Sequence, residues 1–342
     1  MRPTMRPTMR PTMRAVRFHR HGGPDVLQLD EVDVPEPGAG QVLIEAEAIG
    51  ANAIDTVLRR GGSAWDRPLP GTLTGEVVGR ITALGPDTPP GVAVGQRVAA
   101  LAEDAFAEYA AVDAAFLAPI PDSAAWGTGA DSANLAEATM LPMTGPLAFR
   151  LLETANLPAG GTVLIHSAAG TVGHLAVQLA RGYDPKTIIG TASSPARLDF
   201  IRSLGAEAVN LTDPDWPDQV RAIAPEGVDA VLDSVGGAVF DQGLELVKPL
   251  GTMLTYGAIS TELPTIPAAA LFGFKTVTGV SMMGWRGARP DAARADIAEV
   301  TRRWQTGDLR PAVHATHPLA DVTKLHEALD ARTAHGRLVA IP

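Results

Sequence analysis

The chain has 342 residues, of which 46% are hydrophobic and 19% are charged, and its formal net charge is -10. This length predicts two domains with a cleft between them, and the composition excludes a disordered chain. The negative charge argues against a nucleic-acid or membrane surface. The absence of cysteine excludes disulfides, thiolate nucleophiles and cysteine-ligated zinc, and it fits a reducing, cytoplasmic location. No apolar run reaches the roughly 20 residues of a membrane span.

The first part of the chain predicts a short tail followed by a β-rich domain. The tetrapeptide Met-Arg-Pro-Thr occurs three times over 1–12 and lacks the hydrophobic stretch of a secretory signal. Its regularly spaced prolines prevent a stable helix, so we expect either a disordered tail or a misassigned start, with Met13 as the working start. From Met13 to about Ala118, short strand-like runs such as QVLIEAEAIG are separated by Gly and Pro, which is typical of a β-rich domain.

The rest of the chain has a different texture. From Glu137 to about Val280, segments of helix length and strand length alternate, which predicts parallel βαβ units. Two helical patterns follow, and a short strand over 337–341 ends the sequence. We expect this closing strand to pack back on the first domain.

A dinucleotide-binding turn is the most informative motif. The stretch TVLIHSAAGTVGHLAVQLAR, over 162–181, has the order apolar strand, small-residue turn and amphipathic helix. Gly170 allows a pyrophosphate to approach the backbone, Gly173 allows the helix to pack on the strand, and Ala168 replaces the first glycine of the fingerprint. A purely structural turn is the alternative. The predicted cofactor-binding residues here are Ser167, Ala168, Ala169, Gly170, Thr171, Val172 and Gly173.

The next strand favours NADPH over NADH. The sequence KTIIGTASSPARLDF predicts a strand over Thr187 to Thr191, and no acidic residue follows it to bind a ribose 2′-hydroxyl. Ser193, Ser194 and Arg197 follow instead, and hydroxyls and a guanidinium suit a 2′-phosphate. The alternative is that the serines cap the next helix and Arg197 is a solvated helix charge.

Further stretches carry a family resemblance. They are GANAIDTVLRRG near 50, PGTLTGEVVG near 70, MLPMTGPLAF near 140, LVKPLGTMLTYG and HGRLVAIP. With the turn above, they resemble the zinc-independent quinone oxidoreductase branch of the medium-chain dehydrogenase/reductase superfamily. The resemblance implies an α/β fold with two parts. A GroES-like β-rich catalytic domain would comprise 13–138 and 284–342, and a Rossmann doubly wound parallel sheet would comprise 139–283, with the active site between them.

The resemblance also implies site residues. Asn52 and Thr144 would lie beside the nicotinamide, and Asp55 would fix the loop that carries Asn52. Each has a plainer interpretation, since Asn52 suits a turn while Thr144 and Asp55 suit local caps. The other residues implied to contact the cofactor are Ser234, Val235, Gly236, Tyr256, Gly257 and Arg332.

Two departures bear on the chemistry. Gly75 stands where zinc-dependent relatives carry a histidine ligand, and we expect the neighbouring Glu76 to be structural. The histidines show no metal-ligand spacing, so no metal is expected. Ser63, near Trp65, occupies the place where many relatives carry a tyrosine, and no replacement proton donor is evident.

The favoured hypothesis is NADPH-dependent reduction of an enone, enoyl thioester or quinone, a small-molecule acceptor. Two alternatives remain. One is a protein of this fold that uses NADP(H) for a different redox step in a biosynthetic pathway, and the other is a non-catalytic NADPH-binding protein. The resemblance also implies a homodimer in which the Rossmann sheets pair edge to edge through a strand within 276–283, although this segment could instead be a covered edge strand. We expect neither a nucleic-acid nor a membrane partner.

Overall fold

The computed structural model describes residues 11–62, 66–121 and 132–342. Most of the predicted tail therefore lies outside the described residues, as do Ser63 and Trp65. The first strand begins at Thr12, one residue before the predicted start, and Met13 is buried.

The first part of the chain is β-rich, as its Gly- and Pro-punctuated sequence predicts. Its elements are β1 (Thr12–Phe18), β2 (Leu27–Asp33), β3 (Gln41–Gly50), α1 (Ile54–Arg60), β4 (Gly71–Thr72), β5 (Gly75–Leu84), β6 (Arg97–Ala102), β7 (Tyr109–Asp113) and β8 (Ala118–Pro119). Strands β2, β1 and β4 form a small sheet. Strands β3 and β5 are the long central strands of a second sheet, and their inward residues, such as Ile44 and Val77, are fully buried.

The second part alternates helices and strands. Its elements are α2 (Ser132–Ala138), α3 (Thr144–Ala155), β9 (Thr162–Ile165), α4 (Thr171–Ala180), β10 (Thr187–Ala192), α5 (Pro195–Ser203), β11 (Glu207–Asn210), α6 (Trp216–Ile223), β12 (Val228–Asp233), α7 (Gly237–Leu246), β13 (Val247–Thr255) and β14 (Thr276–Gly279). All neighbours in the sheet are parallel, in the order β11-β10-β9-β12-β13-β14. Strands β9 and β12 are buried along their whole length, which explains the mostly apolar sequence of β9, whereas β12 carries two buried aspartates, Asp229 and Asp233.

The last part of the chain contributes to both halves of the molecule. Its elements are α8 (Met282–Ala288), α9 (Pro290–Thr306), β15 (Val313–Pro318), α10 (Val322–Asp330) and β16 (Arg337–Ile341). Helix α9 packs against α3, with Val300 in the same core as Leu151. Strand β16 pairs with β3 and with β15, so the closing strand returns to the first domain as predicted. The domain boundary at 284 stays a prediction.

This architecture confirms the predicted fold class, a GroES-like β-rich part joined to a Rossmann-type doubly wound sheet. Connections run in opposite directions from β9 and β12, so a crevice opens at the carboxyl ends of these strands. Within the described residues, no helix is long and apolar enough to cross a membrane.

Candidate functional site

One cavity of about 1760 Å³ lies along this crevice, and most of the predicted site residues line it. The predicted residues in its wall are Asn52, Thr144, Ser167, Gly170, Thr171, Val172, Gly173, Ser193, Arg197, Ser234, Val235, Tyr256, Gly257 and Arg332. Five predicted residues lie outside the wall: Asp55, Ala168, Ala169, Ser194 and Gly236. The cavity therefore joins the predicted cofactor turn to the predicted catalytic residues.

The turn between β9 and α4 has the close packing that its small residues require. A Cβ on Gly173 would lie 2.4 Å from the Ser167 carbonyl oxygen, so only glycine fits there. Ala168 is fully buried, which takes it out of the cavity wall. The N-terminal end of α4 faces the cavity through Gly170 and Thr171, and free backbone N–H groups at such an end attract phosphate. These residues fit a dinucleotide pyrophosphate.

The turn is also tied to the end of the chain. The Gly336 N–H donates to the Ala169 carbonyl oxygen at 2.9 Å, and the Thr171 hydroxyl donates to the Gly336 carbonyl oxygen at 3.1 Å. The residue that follows, Arg337, contacts the two predicted catalytic side chains, Asn52 and Thr144. The adjacent residues Gly336 and Arg337 thus contact both the predicted cofactor turn and the predicted catalytic residues.

Two arginines meet beside the turn. Arg197, on α5, is only 8% exposed, and its Nη1 donates to the Arg332 carbonyl oxygen at 3.3 Å. Its Nε is buried without a partner, and burial followed by the charge of Arg332 lowers its pKa. The interpretation of Arg197 as a solvated helix charge is therefore wrong. Ser194 precedes α5 without making a side-chain cap, which removes the capping interpretation for that residue, whereas Ser193 reaches the cavity.

A buried polar network holds the two predicted catalytic side chains. Arg337 Nη1 donates to Asn52 Oδ1 at 3.0 Å and to Thr144 Oγ1 at 3.2 Å. Arg337 Nη2 donates to Glu76 Oε2 at 2.5 Å, and both charged side chains are fully buried. The Thr144 hydroxyl donates to the same Glu76 oxygen at 2.5 Å. Asn52 and Thr144 are thus held by one ion pair.

This network dictates which groups can donate to a bound molecule. A guanidinium has no acceptor, so the Asn52 amide must turn its oxygen toward Arg337 and keep its NH₂ donors for the cavity. The Thr144 hydroxyl donates its proton to Glu76 and accepts one hydrogen bond from Arg337, so at the cavity wall its oxygen has one acceptor position left. The wall therefore presents a donor at Asn52 and an acceptor at Thr144.

Asp55 lies outside the cavity wall and contacts the loop that carries Asn52. Its carboxylate accepts hydrogen bonds from the Thr74 N–H and hydroxyl, both at 2.8 Å, and from the Asn52 N–H at 3.3 Å. Burial raises its pKa to about 7, against the effect of these hydrogen bonds and of Arg337. It does not line the cavity, and its hydrogen bond to the Asn52 N–H agrees with the expected role of fixing the Asn52 loop rather than with direct contact to the substrate.

The loop after β12 is organised in a similar way. Asp233 accepts from the N–H groups of Val235 and Gly236, at 3.0 Å and 3.1 Å, and burial raises its pKa to about 6. Gly236 immediately precedes α7 and is not part of the cavity wall, whereas Ser234 and Val235 line it. Burial also raises the pKa of Tyr256, across the same crevice, to about 12.

Sequence reasoning missed Arg337. A Cβ on Gly50 would lie 2.2 Å from Arg337 Nε, so the guanidinium occupies the space that this glycine leaves. The available signal was a charged residue at the head of an apolar strand, RLVAI, opposite a carboxylate in another apolar stretch, GEVVG. Buried charges of this kind require partners.

The residues at Glu76 do not fit a zinc site. Glu76 Oε1 accepts from the N–H groups of Met143 and Thr144, and Oε2 accepts from Thr144 and Arg337. All of its acceptor capacity is therefore in use. No group of three or more His, Asp and Glu side chains suited to a metal occurs in the described part of the chain.

Comparisons with known proteins agree with this geometry. The family model described as the alcohol dehydrogenase GroES-like domain matches residues 38–122, and the zinc-binding dehydrogenase model matches residues 171–301. Quinone oxidoreductase 1 of Escherichia coli is 30% identical over 335 residues, which cover 96% of this chain and 99% of that one. The 2-haloacrylate reductase of a Burkholderia species is 30% identical over 346 residues, covering 96% and 98%.

A solved structure of a mycobacterial protein in complex with NADPH is also similar, with a TM-score of 0.86 and 31% identity. It covers 96% of this chain and 100% of that one. Together these matches support nicotinamide cofactor binding and oxidoreductase activity. The chain belongs to the medium-chain dehydrogenase/reductase superfamily, in its quinone oxidoreductase branch.

Proposed function

We propose that the protein is an NADPH-dependent oxidoreductase that reduces, without zinc, the activated double bond of an enone or enoyl thioester, or a quinone. One observation carries the proposal: a single cavity is lined by the turn at Gly170 and by Asn52 and Thr144. Its size accommodates a dinucleotide and an acceptor together. The name of the E. coli relative supports a quinone acceptor, and the name of the Burkholderia relative supports an activated carbon–carbon double bond.

The preference for NADPH rests on charge beside the turn. Arg197 and Arg332 both line the cavity, and neither forms an ion pair with any carboxylate in the described ranges. The second Rossmann strand ends at Ala192, so no acid there repels a phosphate. Two uncompensated guanidinium groups and the Ser193 hydroxyl suit a ribose 2′-phosphate.

Asn52 is placed to assist the reduction. When bound, the reduced nicotinamide supplies a hydride, and the acceptor takes up that hydride together with one proton. Negative charge then develops on the acceptor oxygen. The Asn52 NH₂ group, fixed by Arg337, provides a preorganised donor for this oxygen. The Thr144 oxygen accepts a hydrogen bond from the cofactor or substrate, and this orients the bound molecule.

We propose that solvent supplies the proton. The Thr144 proton lies in its hydrogen bond to Glu76, and Asp55, with its pKa raised to about 7, does not reach the cavity. Asp55 holds the Asn52 loop instead.

We further propose that two copies associate edge to edge through β14. This strand is the last of the parallel sheet, so one of its edges has no neighbouring strand among the residues that the structure describes. Phe272 and Phe274 precede it and are 82% and 77% exposed, and Leu250 is 79% exposed. Burying such side chains together favours association. A cytoplasmic location remains a prediction from the cysteine-free composition.

The proposal is tested by titrating the protein with NADPH and NADH, followed by fluorescence, and then adding quinones, enones and enoyl thioesters. Absorbance of the reduced cofactor reports turnover. We expect tighter binding of NADPH and its oxidation by at least one acceptor class, with no loss of activity after treatment with a metal chelator. Saturable NADPH binding without oxidation by any acceptor would overturn the enzymatic assignment, and tighter binding of NADH would overturn the cofactor assignment.

A further inference from the structure

Arg286 adds a buried cationic side chain to the wall of the cavity. It lies on α8, its side chain is only 8% exposed, and it lines the same cavity as Asn52 and Thr144. Its Nη2 donates to the Pro142 carbonyl oxygen at 2.5 Å, two residues before Thr144. Arg286 is therefore close to the place where the acceptor is proposed to react.

The charge of Arg286 is uncompensated. Four arginines are buried in the described part of the chain, and two of them, Arg59 and Arg337, form ion pairs with Asp330 and Glu76. The other two are Arg197, at the proposed phosphate site, and Arg286.

The donors of Arg286 are also incompletely used. Its Nε is buried without a partner, and Nη1 makes no hydrogen bond to any described residue. Burial lowers its pKa, while the more distant charges of Glu76 and Asp113 raise it. The Glu76 oxygens are already occupied by Arg337, Thr144 and backbone N–H groups, so Glu76 is not available as a direct counterion.

The surroundings of Arg286 are mostly apolar. Its guanidinium carbon lies 4.9 Å from the centroid of the Phe116 ring, and Met143, Leu147 and Met283 line the same cavity. A buried guanidinium in apolar surroundings binds a carboxylate through a charge-assisted hydrogen bond. A single uncompensated cation fits a monoanion.

We infer that Arg286 binds a carboxylate on the acceptor, so that the substrate is an apolar enone or related acceptor that carries a carboxylate group. This inference rests on the proposed function and narrows its substrate class. Nη1 is the donor that remains for this contact, and the apolar residues around it receive the body of the substrate.

The test compares an acid with its neutral ester. We would measure kcat/KM with NADPH for 3-benzoylacrylate and its methyl ester, using the wild type and Arg286→Met. We expect the wild type to prefer the acid, and the variant to lose about 10- to 100-fold for the acid while retaining most of its activity toward the ester. Arg286→Lys keeps the charge and should retain part of the preference.

Arg294→Met is the matched control, because Arg294 lies over the same Phe116 ring at 6.0 Å but pairs with Asp291 on the surface. This variant should leave the acid-to-ester ratio unchanged. An equal loss for both acceptors in Arg286→Met would show that the residue only supports the Thr144 segment, and would overturn the inference.

A binding measurement separates this inference from the proposed function. The saturated analogue 3-benzoylpropanoate and its methyl ester would each be titrated, in the presence of NADP⁺, into the wild type and into Arg286→Met. Selective binding of the acid that is lost in Arg286→Met supports the carboxylate site even if neither acceptor is reduced. Equal binding of acid and ester by the wild type would overturn the site even if the ester is turned over.

Discussion

The carboxylate of Glu76 and the guanidinium of Arg337 lie 2.5 Å apart although 261 residues separate them in the sequence, and solvent reaches neither side chain. Removing one member of such a pair leaves an uncompensated buried charge, whereas removing both does not. The pair therefore makes two predictions, one about stability and one about chemistry.

The stability prediction concerns the energetic coupling between Glu76 and Arg337. Glu76→Gln and Arg337→Met should each lower the free energy of unfolding by about 3 to 5 kcal/mol, because each leaves its partner charged and buried. The double variant should be more stable than the sum of the two effects implies, as measured by urea unfolding. Asp291→Asn, which removes an exposed ion pair to Arg294, is the control and should cost about 1 kcal/mol or less. Additive effects of the two buried changes would argue against the coupling.

The chemical prediction concerns the direction of one hydrogen bond. In Asn52→Asp an oxygen still accepts from Arg337, but the second oxygen replaces the NH₂ donor. We expect kcat to fall about 100- to 1000-fold, as when an oxyanion donor is lost, with little change in NADPH affinity. Asn210→Asp is the control, because Asn210 Oδ1 only accepts hydrogen bonds, from Thr212. Unchanged kcat in Asn52→Asp would remove the donor role.

The proposed 2′-phosphate site, formed by Arg197, Arg332 and Ser193, predicts a loss of affinity that is selective for NADPH. Arg197→Ala and Arg332→Ala should each raise the Kd for NADPH about 10- to 100-fold, because a charged group loses a charge-assisted hydrogen bond. The Kd for NADH should hardly change, since it lacks the 2′-phosphate. Arg202→Ala on the same helix is the control, because Arg202 is exposed and pairs with Asp199. Equal weakening of both cofactors, in fluorescence titrations, would place the arginines elsewhere on the dinucleotide.

The burial of His166 predicts that the free energy of unfolding depends on pH. Burial lowers the pKa of His166 from 6.5 to about 3, so between these values the unfolded chain binds a proton that the folded protein does not. The stability from neutral His166 is complete above pH 6.5 and is lost as the pH falls toward 3. His166→Leu should therefore reduce the slope of unfolding free energy against pH by about 1.4 kcal/mol per pH unit between pH 4 and 6. Parallel wild-type and variant curves would contradict this.

The proposed dimer predicts a change in mass. Phe274→Asp places a charge beside the free edge of β14, and desolvating it in an interface is unfavourable. We expect a dimer for the wild type and a monomer for the variant in light scattering after size exclusion. Val94→Asp is the control, because Val94 is 60% exposed and lies outside the Rossmann sheet. A wild-type monomer, or a dimer that survives the change, would rule out this edge.

Local signals were sufficient to predict the β-rich part, the part with alternating helices and strands, and the strand, turn and helix of 162–181, whereas the GroES-like and Rossmann assignments came from the family resemblance. The strand, the small-residue turn and the helix of 162–181 are consecutive in the chain, and the size limits at Gly173 follow from that geometry. The strand predicted over Thr187 to Thr191 extends one residue further, to Ala192. Asn52 and Thr144 required the family resemblance, since nothing local distinguishes them from a turn residue and a cap.

The network behind those two residues could not be predicted, because its members come from strands that meet only in the folded protein. Glu76 and Arg337 are each a charged residue in an apolar strand, but periodicity does not say which strands become neighbours, and only Glu76 was singled out. The burial of Arg286 was harder still to predict from the sequence, since an arginine in a short helix is usually solvated. Its burial depends on how α8 packs over Pro142 and Phe116.

Strand β16 has a consequence for how the protein is made. Synthesis proceeds from the N-terminus, and Arg337 emerges only after the sheet that contains β3 and β5 has been translated. Until then Glu76 has no counterion, Asn52 has no fixed orientation, and Gly336 does not yet hold the phosphate-binding turn. A chain interrupted shortly before this strand would contain nearly every element of both domains and yet lack a competent site. Activity therefore reports the completion of translation as well as the success of folding.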